Sequence, residues 1–130
     1  MIDDRKLLII TNNDVTEQFF QGKVKLEMVS THRDVLVRVR DHIYAGGWKL
    51  ITHPMASSIK PNQTPFRSII LIQSNEDCTE DILMIEEALE SFDKFDTEKK
   101  PTDWYRETTD PDFKKIDFYM IEDALPHLCR

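Results

Sequence analysis

The sequence predicts an α/β domain with a four-stranded, mostly parallel sheet in the order 2-1-3-4 and helices on both faces. Three observations predict it. Apolar runs of strand length occur at Lys6–Thr11 and Ser68–Gln73, each bounded by polar turn residues. Helical patterns with recognisable caps lie between and after the strands. The resulting order β-α-β-α-β-loop-β-α-α is that of a sheet covered on both faces, with right-handed crossovers making 2-1-3-4 the economical arrangement.

The elements follow in order. Lys6-Leu7-Leu8-Ile9-Ile10 is a continuous apolar run ending in Thr11-Asn12-Asn13-Asp14, a strand buried on both faces. A short helix over Val15–Phe20 ends at Gly22. Lys23 to Val29 alternates polar and apolar residues, the pattern of a half-buried strand. Thr31 to Ile43 carries two patterns. Thr31 with Asp34 resembles a capping box with Asp in place of Glu, Gly46-Gly47 supplies a stop, and Val35, Val39 and Ile43 share a helical face. Val35, Val37 and Val39 also alternate as a strand would, but caps and length favour helix. Trp48–Thr52 and Ser68–Gln73 are the third and fourth strands. Asp77 or Thr79 caps the next helix, whose face is Ile82, Ile85, Leu89 and Phe92. Thr97–Thr109 reads as a polar connector carrying Trp104 and Tyr105, either a flap over the core edge or a partner surface. Asp110-Pro111 then opens a last helix with proline at its first position, with Phe113, Ile116, Met120 and Ala124 as its stripe and Pro126 as its end.

Composition bounds the function. The chain has 130 residues, one domain's length, with 32% charged and 40% hydrophobic residues, the balance of a globular protein. A net charge of −7 argues against nucleic-acid binding, which rests on clustered Lys and Arg, though a local basic spot can still hold one anion. The apolar runs are too short to span a bilayer, and the start lacks a signal peptide's basic and apolar regions, so the expected location is cytoplasmic. Cys78 and Cys129 have no metal-ligand spacing and read as free thiols. The histidines likewise show no zinc pattern, so no metal is expected.

In a 2-1-3-4 sheet the switch point lies between strands one and three, and ligands bind at the carboxyl ends flanking it. Those ends are Thr11-Asn12-Asn13 and Thr52-His53-Pro54. From the second grows THPMASSIKPNQTPFRS, Thr52 to Ser68, holding Pro54, Pro61 and Pro65, three of the chain's six prolines. Proline stiffens a loop, and polar groups on a stiff loop are positioned groups. His53 could serve as acid, base or hydrogen-bond donor, or simply tie down its own loop. Lys60 and Arg67, with Ser57, Ser58, Asn62, Thr64 and Ser68, could hold a phosphate or carboxylate, or point into water as a solvated loop. Asn12 and Asn13 could reach a ligand, but the turn and helix cap that asparagine favours is the simpler role. The chain lacks a Gly-x-x-x-x-Gly-Lys-Ser/Thr loop, a Gly-x-Gly-x-x-Gly turn and a Gly-x-Ser-x-Gly elbow, so neither a nucleotide cofactor nor a serine nucleophile is expected.

The runs KLLIITNN at Lys6–Asn13, DVLVRVRDHIYAGGWKLITHPMASSIKPNQTPFRSIIL at Asp34–Leu71 and EEALESFDKF in the following helix resemble the GrdX-like family. Lys60, Pro61, Asn62, Thr64, Pro65 and Ser68 match its pattern. The chain departs from it at Ala56-Ser57-Ser58, where the family has a small-residue run with Gly, at Gln63 (Glu) and at Phe66 (Tyr). The resemblance implies a small protein encoded beside glycine, sarcosine and betaine reductase systems, and brings no catalytic residues. Three functions then compete: an accessory protein holding a small anionic ligand or a partner's loop from the reductase system, an enzyme for a small acyl or phosphoryl compound with His53 as acid–base group, and a structural interaction module.

Overall fold

The computed structural model describes residues 3–54, 64–95 and 103–128. Its elements are a 3-10 turn at Asp4–Lys6, β1 (Leu7–Thr11), α1 (Asp14–Phe20), β2 (Lys25–Met28), α2 (His32–Ala45), β3 (Trp48–Leu50), β4 (Ser68–Gln73), α3 (Thr79–Phe95), α4 (Asp103–Ala124) and a closing 3-10 turn at Pro126–Leu128. The α/β class and the four-stranded sheet are as the sequence predicts.

The sheet order is not. It is β2-β1-β4-β3, with β1–β2 parallel and both β1–β4 and β3–β4 antiparallel. The physical reason lies in the connection before β4. A parallel neighbour requires a crossover, usually a helix, whereas an antiparallel one needs none. Residues 51–67 carry prolines instead of a helical pattern, so β4 enters in the opposite sense. Burial then decides its place: Ser68 to Leu71 are fully enclosed, which suits a central strand, while three-residue β3 takes the edge.

Strand alternation divides the core in two. Leu8 and Ile10 of β1 with Ile69 and Leu71 of β4 pack against Val35, Leu36, Val39 and Ile43 of α2 and Ile85, Ala88 and Leu89 of α3. On the opposite face Leu7, Ile9 and Ile70 meet Phe20 of α1 and Ile121 and Leu125 at the end of α4. Each such enclosed Val, Leu, Ile or Phe side chain contributes roughly 1.5–3 kcal/mol.

Local chemistry explains the helix ends. Thr31 Oγ1 accepts from Asp34 N at 3.0 Å, and Gly46 closes α2 at φ 91°, a conformation that costs glycine little. The helical reading of 31–43 is therefore the right one. Asp77 Oδ1 accepts from Thr79 N at 3.1 Å at the start of α3.

The last helix differs from expectation in two ways. Pro111 lies inside α4 rather than at its first position, so the second half of the Thr97–Thr109 connector is helical. The stripe is also shifted: Ile116 is exposed, and the enclosed positions are Asp117, Ile121 and Leu125. A carboxylate at the centre of the buried face displaced the apolar pattern by one residue. The side-chain packing of Trp104 and Tyr105, and the pairing of Cys129, lie outside the described residues; Cys78 is a free thiol. No helix among the described residues is long and apolar enough to cross a membrane.

Candidate functional site

Because β1, β2 and β3 run the same way and β4 runs against them, one edge of the sheet collects the carboxyl ends of three strands and the start of β4. Thr11 faces Ser68 there. The pleat sends their side chains to the α1–α4 face and sends Arg67 to the α2–α3 face, so two polar clusters lie back to back.

The first cluster is closed around Asp117. Its Oδ1 accepts from Ser68 N at 2.8 Å, and its Oδ2 accepts from Ser68 Oγ at 2.5 Å and Asn13 Nδ2 at 3.0 Å. Thr11 Oγ1 lies 2.6 Å from Ser68 Oγ and accepts from Asn13 N at 2.9 Å, while Thr16 Oγ1 lies 3.2 Å from Ser68 Oγ. Asn13 Oδ1 accepts from Val15 N at 3.0 Å, capping α1, and its amide nitrogen also donates to Lys114 O at 2.9 Å. Burial pushes the Asp117 carboxyl above the usual carboxylate range, against the opposing pull of its bonds to Ser68 and Asn13 and of the Arg67 charge. With every hydroxyl enclosed, this cluster clamps α4 and α1 to the sheet rather than presenting a nucleophile.

The second cluster is built on Arg67, which is only 5% exposed. Asn12 extends the β1–β4 ladder by one step with its side chain: Oδ1 accepts from Arg67 N at 2.9 Å and Nδ2 donates to Pro65 O at 2.7 Å. His32, the first residue of α2, is enclosed and meets Phe92 edge-on at 4.9 Å. A carbonyl can only accept, so the 2.9 Å contact with Thr64 O places the imidazole proton on Nδ1. That leaves Nε2 to accept from Arg67 Nε at 3.3 Å. Burial first, then the Arg67 charge, hold the His32 pKa down at about 4, against the bond to Thr64. Burial also works against the Arg67 cation, which Asp117 favours.

Of the residues singled out from sequence, Asn12, Asn13, Thr64, Arg67 and Ser68 gather at this edge. Of the two roles the sequence left open for Arg67, the solvated loop cation is not what the structure holds: the side chain is buried against His32 at the start of α2. His53 is exposed, just beyond Thr52, whose Oγ1 accepts from Ile70 N at 3.0 Å. Ser57, Ser58, Lys60 and Asn62 lie outside the described residues. Sequence reasoning missed Thr11, Thr16, His32 and Asp117. One signal could have found Asp117: it is the polar position in the series Phe113, Asp117, Ile121, Leu125, spaced by four. No group of three or more metal-ligating side chains occurs among the described residues.

The fold and its edge define a small three-layer α/β protein with a buried arginine where a strand begins. The chain belongs to the GrdX-like family: a family model described as GrdX-like protein matches residues 8–126. No curated protein and no solved structure matches it.

Proposed function

We propose that this protein is an accessory component of anaerobic glycine, sarcosine and betaine reductase metabolism that holds a small anionic ligand at the sheet edge formed by Asn12 and Arg67. Family membership supports the metabolic setting. One observation carries the ligand class: a guanidinium enclosed at the end of the sheet beside Asn12, with the neutral His32 imidazole against its Nε. An enclosed cation is a strong holder of carboxylate or phosphate because water competes weakly for it. Lys60, His53 and the hydroxyls of Ser57 and Ser58 belong to the same Thr52–Ser68 stretch and would complete the ligand's surroundings.

Calorimetric titration with inorganic phosphate, acetate, glycine and acetyl phosphate tests the reading. Arg67→Lys keeps the charge and loses the planar fork, and should weaken binding about tenfold, as should Lys60→Ala. His53→Gln should leave binding nearly unchanged. Release of acetate or phosphate from acetyl phosphate by wild type, lost in His53→Gln, would instead make the protein an enzyme. Absence of binding for all four compounds would remove the ligand and leave an interaction module.

A further inference from the structure

The two edges of the sheet are treated differently. At β3 the outward N–H of Leu50 donates to Asp81 Oδ2 at 3.1 Å, and Lys49 Nζ donates to Asp77 O at 3.0 Å, so the start of α3 closes that edge. At β2 nothing comparable occurs among the described residues. Val29 N donates to Thr11 O at 3.0 Å, which fixes the parity of the strand: the amides of Lys25, Glu27 and Val29 face β1, and those of Leu26 and Met28 face outward. Met28 is also 40% exposed.

We propose that β2 pairs antiparallel with β2 of a second copy of this chain, centred on Leu26, joining two four-stranded sheets into one of eight strands. Parity restricts a two-fold pairing centred within this strand to four registers. Centred on Met28 it sets Glu27 against Val29 and gives the carboxylate no charged partner. Centred on Lys25 it opposes lysine to lysine; centred on Glu27 it opposes glutamate to glutamate. Centred on Leu26 it sets Lys25 of each copy against Glu27 of the other, in the closer, non-hydrogen-bonded positions where side-chain charge matters most. The same register lets the two Leu26 residues exchange main-chain bonds and gives each Met28 N–H the Val24 carbonyl of the other copy.

A lysine on an edge strand ordinarily deters pairing. Here it meets a carboxylate already positioned: Arg38 Nε donates to Glu27 Oε2 at 2.7 Å, and His42 Nε2 lies 2.9 Å from Oε1. A carboxylate has lone pairs for a further donor, so Lys25 of the second copy adds to this cluster without displacing it. Beside it, Val29, Ser30, Asp34, Val37, Arg38 and Asp41 line an open groove of about 340 Å³ along the same edge. With a strand this short the contact is at the small end of specific interfaces, so the dimer is reversible and forms in the micromolar range.

Sedimentation velocity of the full chain, from low-micromolar to near-millimolar concentration, should show mass rising from 15.3 kDa toward twice that value. Lys25→Glu, at an exposed position, should weaken association roughly tenfold to a hundredfold, because both cross-axis pairs become repulsive. Glu27→Lys should do the same. An equimolar mixture of the two variants restores both pairs and should associate as tightly as wild type. Met28→Pro removes only an outward N–H and should also abolish association, which serves if Glu27→Lys does not fold by circular dichroism. Wild type remaining monomeric throughout, Lys25→Glu associating as wild type does, or a folded mixture failing to associate would each overturn the proposal.

Discussion

Acid should loosen this protein through His32. In the folded state the imidazole is enclosed, its Nε2 faces the Arg67 guanidinium and its pKa is about 4, against 6.5 for an open histidine. Below 6.5 the unfolded chain takes up a proton that the folded chain refuses, so stability falls as pH drops from 6.5 and the loss is complete only below 4. The gap corresponds to about 3 kcal/mol, a large share of a small domain's total stability. Urea unfolding at a series of pH values between 7.5 and 4, on wild type and His32→Gln, isolates the effect from that of the carboxylates. His32→Gln should start lower at pH 7.5, having lost the contacts to Thr64 and Phe92. Its curve should then fall less steeply, so that the two variants converge by about 3 kcal/mol toward pH 4. Parallel curves, or an imidazole proton resonance of His32 titrating near its ordinary value, would refute the reasoning.

Three other perturbations test the enclosed network and the last helix. Asp117→Asn sets an amide group against Asn13 Nδ2 and should cost about 1–3 kcal/mol in urea unfolding at pH 7. Because burial raises the Asp117 pKa, the wild-type carboxyl favours folding more as pH falls toward 3.8, opposite in sign to His32, and the variant should lack that contribution. Ser68→Ala leaves the same carboxylate short of its closest donor and should cost about 1.5–3 kcal/mol by the same measurement. Pro111→Ala returns a main-chain donor to the interior of α4 and should raise both helical circular dichroism and the melting temperature; a lower melting temperature would mean that the proline is no burden where it stands.

How far the sequence could be read depended on where apolar pattern and polar chemistry agreed. Ser68–Gln73 and the cap at Thr31 were legible because a single local rule governs each. Strand order was not, because the antiparallel entry of β4 depends on the stretch before it, whose sequence carries prolines rather than a helical pattern, and on competition for the sheet centre. The edge at Thr11, Asn12 and Asn13 was legible from topology even though the assumed neighbour, β3, was wrong: β1 and β3 still end on the same side, with β4 between them. His32 and Asp117 escaped because each is a polar residue on a buried face. Periodicity reads such positions as interruptions, whereas their meaning comes from partners on other elements.

The insertion of β4 between β1 and β3 also sets an order of events during synthesis. Trp48–Leu50 hydrogen-bonds only to β4 within the sheet, and Leu7–Thr11 has β4 along one whole side. A ribosome that has reached Arg67 has therefore made β1, α1, β2, α2 and β3, the last of them still without its sheet neighbour. Val35, Leu36, Val39 and Ile43 face a sheet that is half absent. Such partly finished apolar surface is where nascent chains associate wrongly or recruit a chaperone. Arrival of Ser68–Gln73 fills the gap from both sides at once, so the sheet closes late and in a single step.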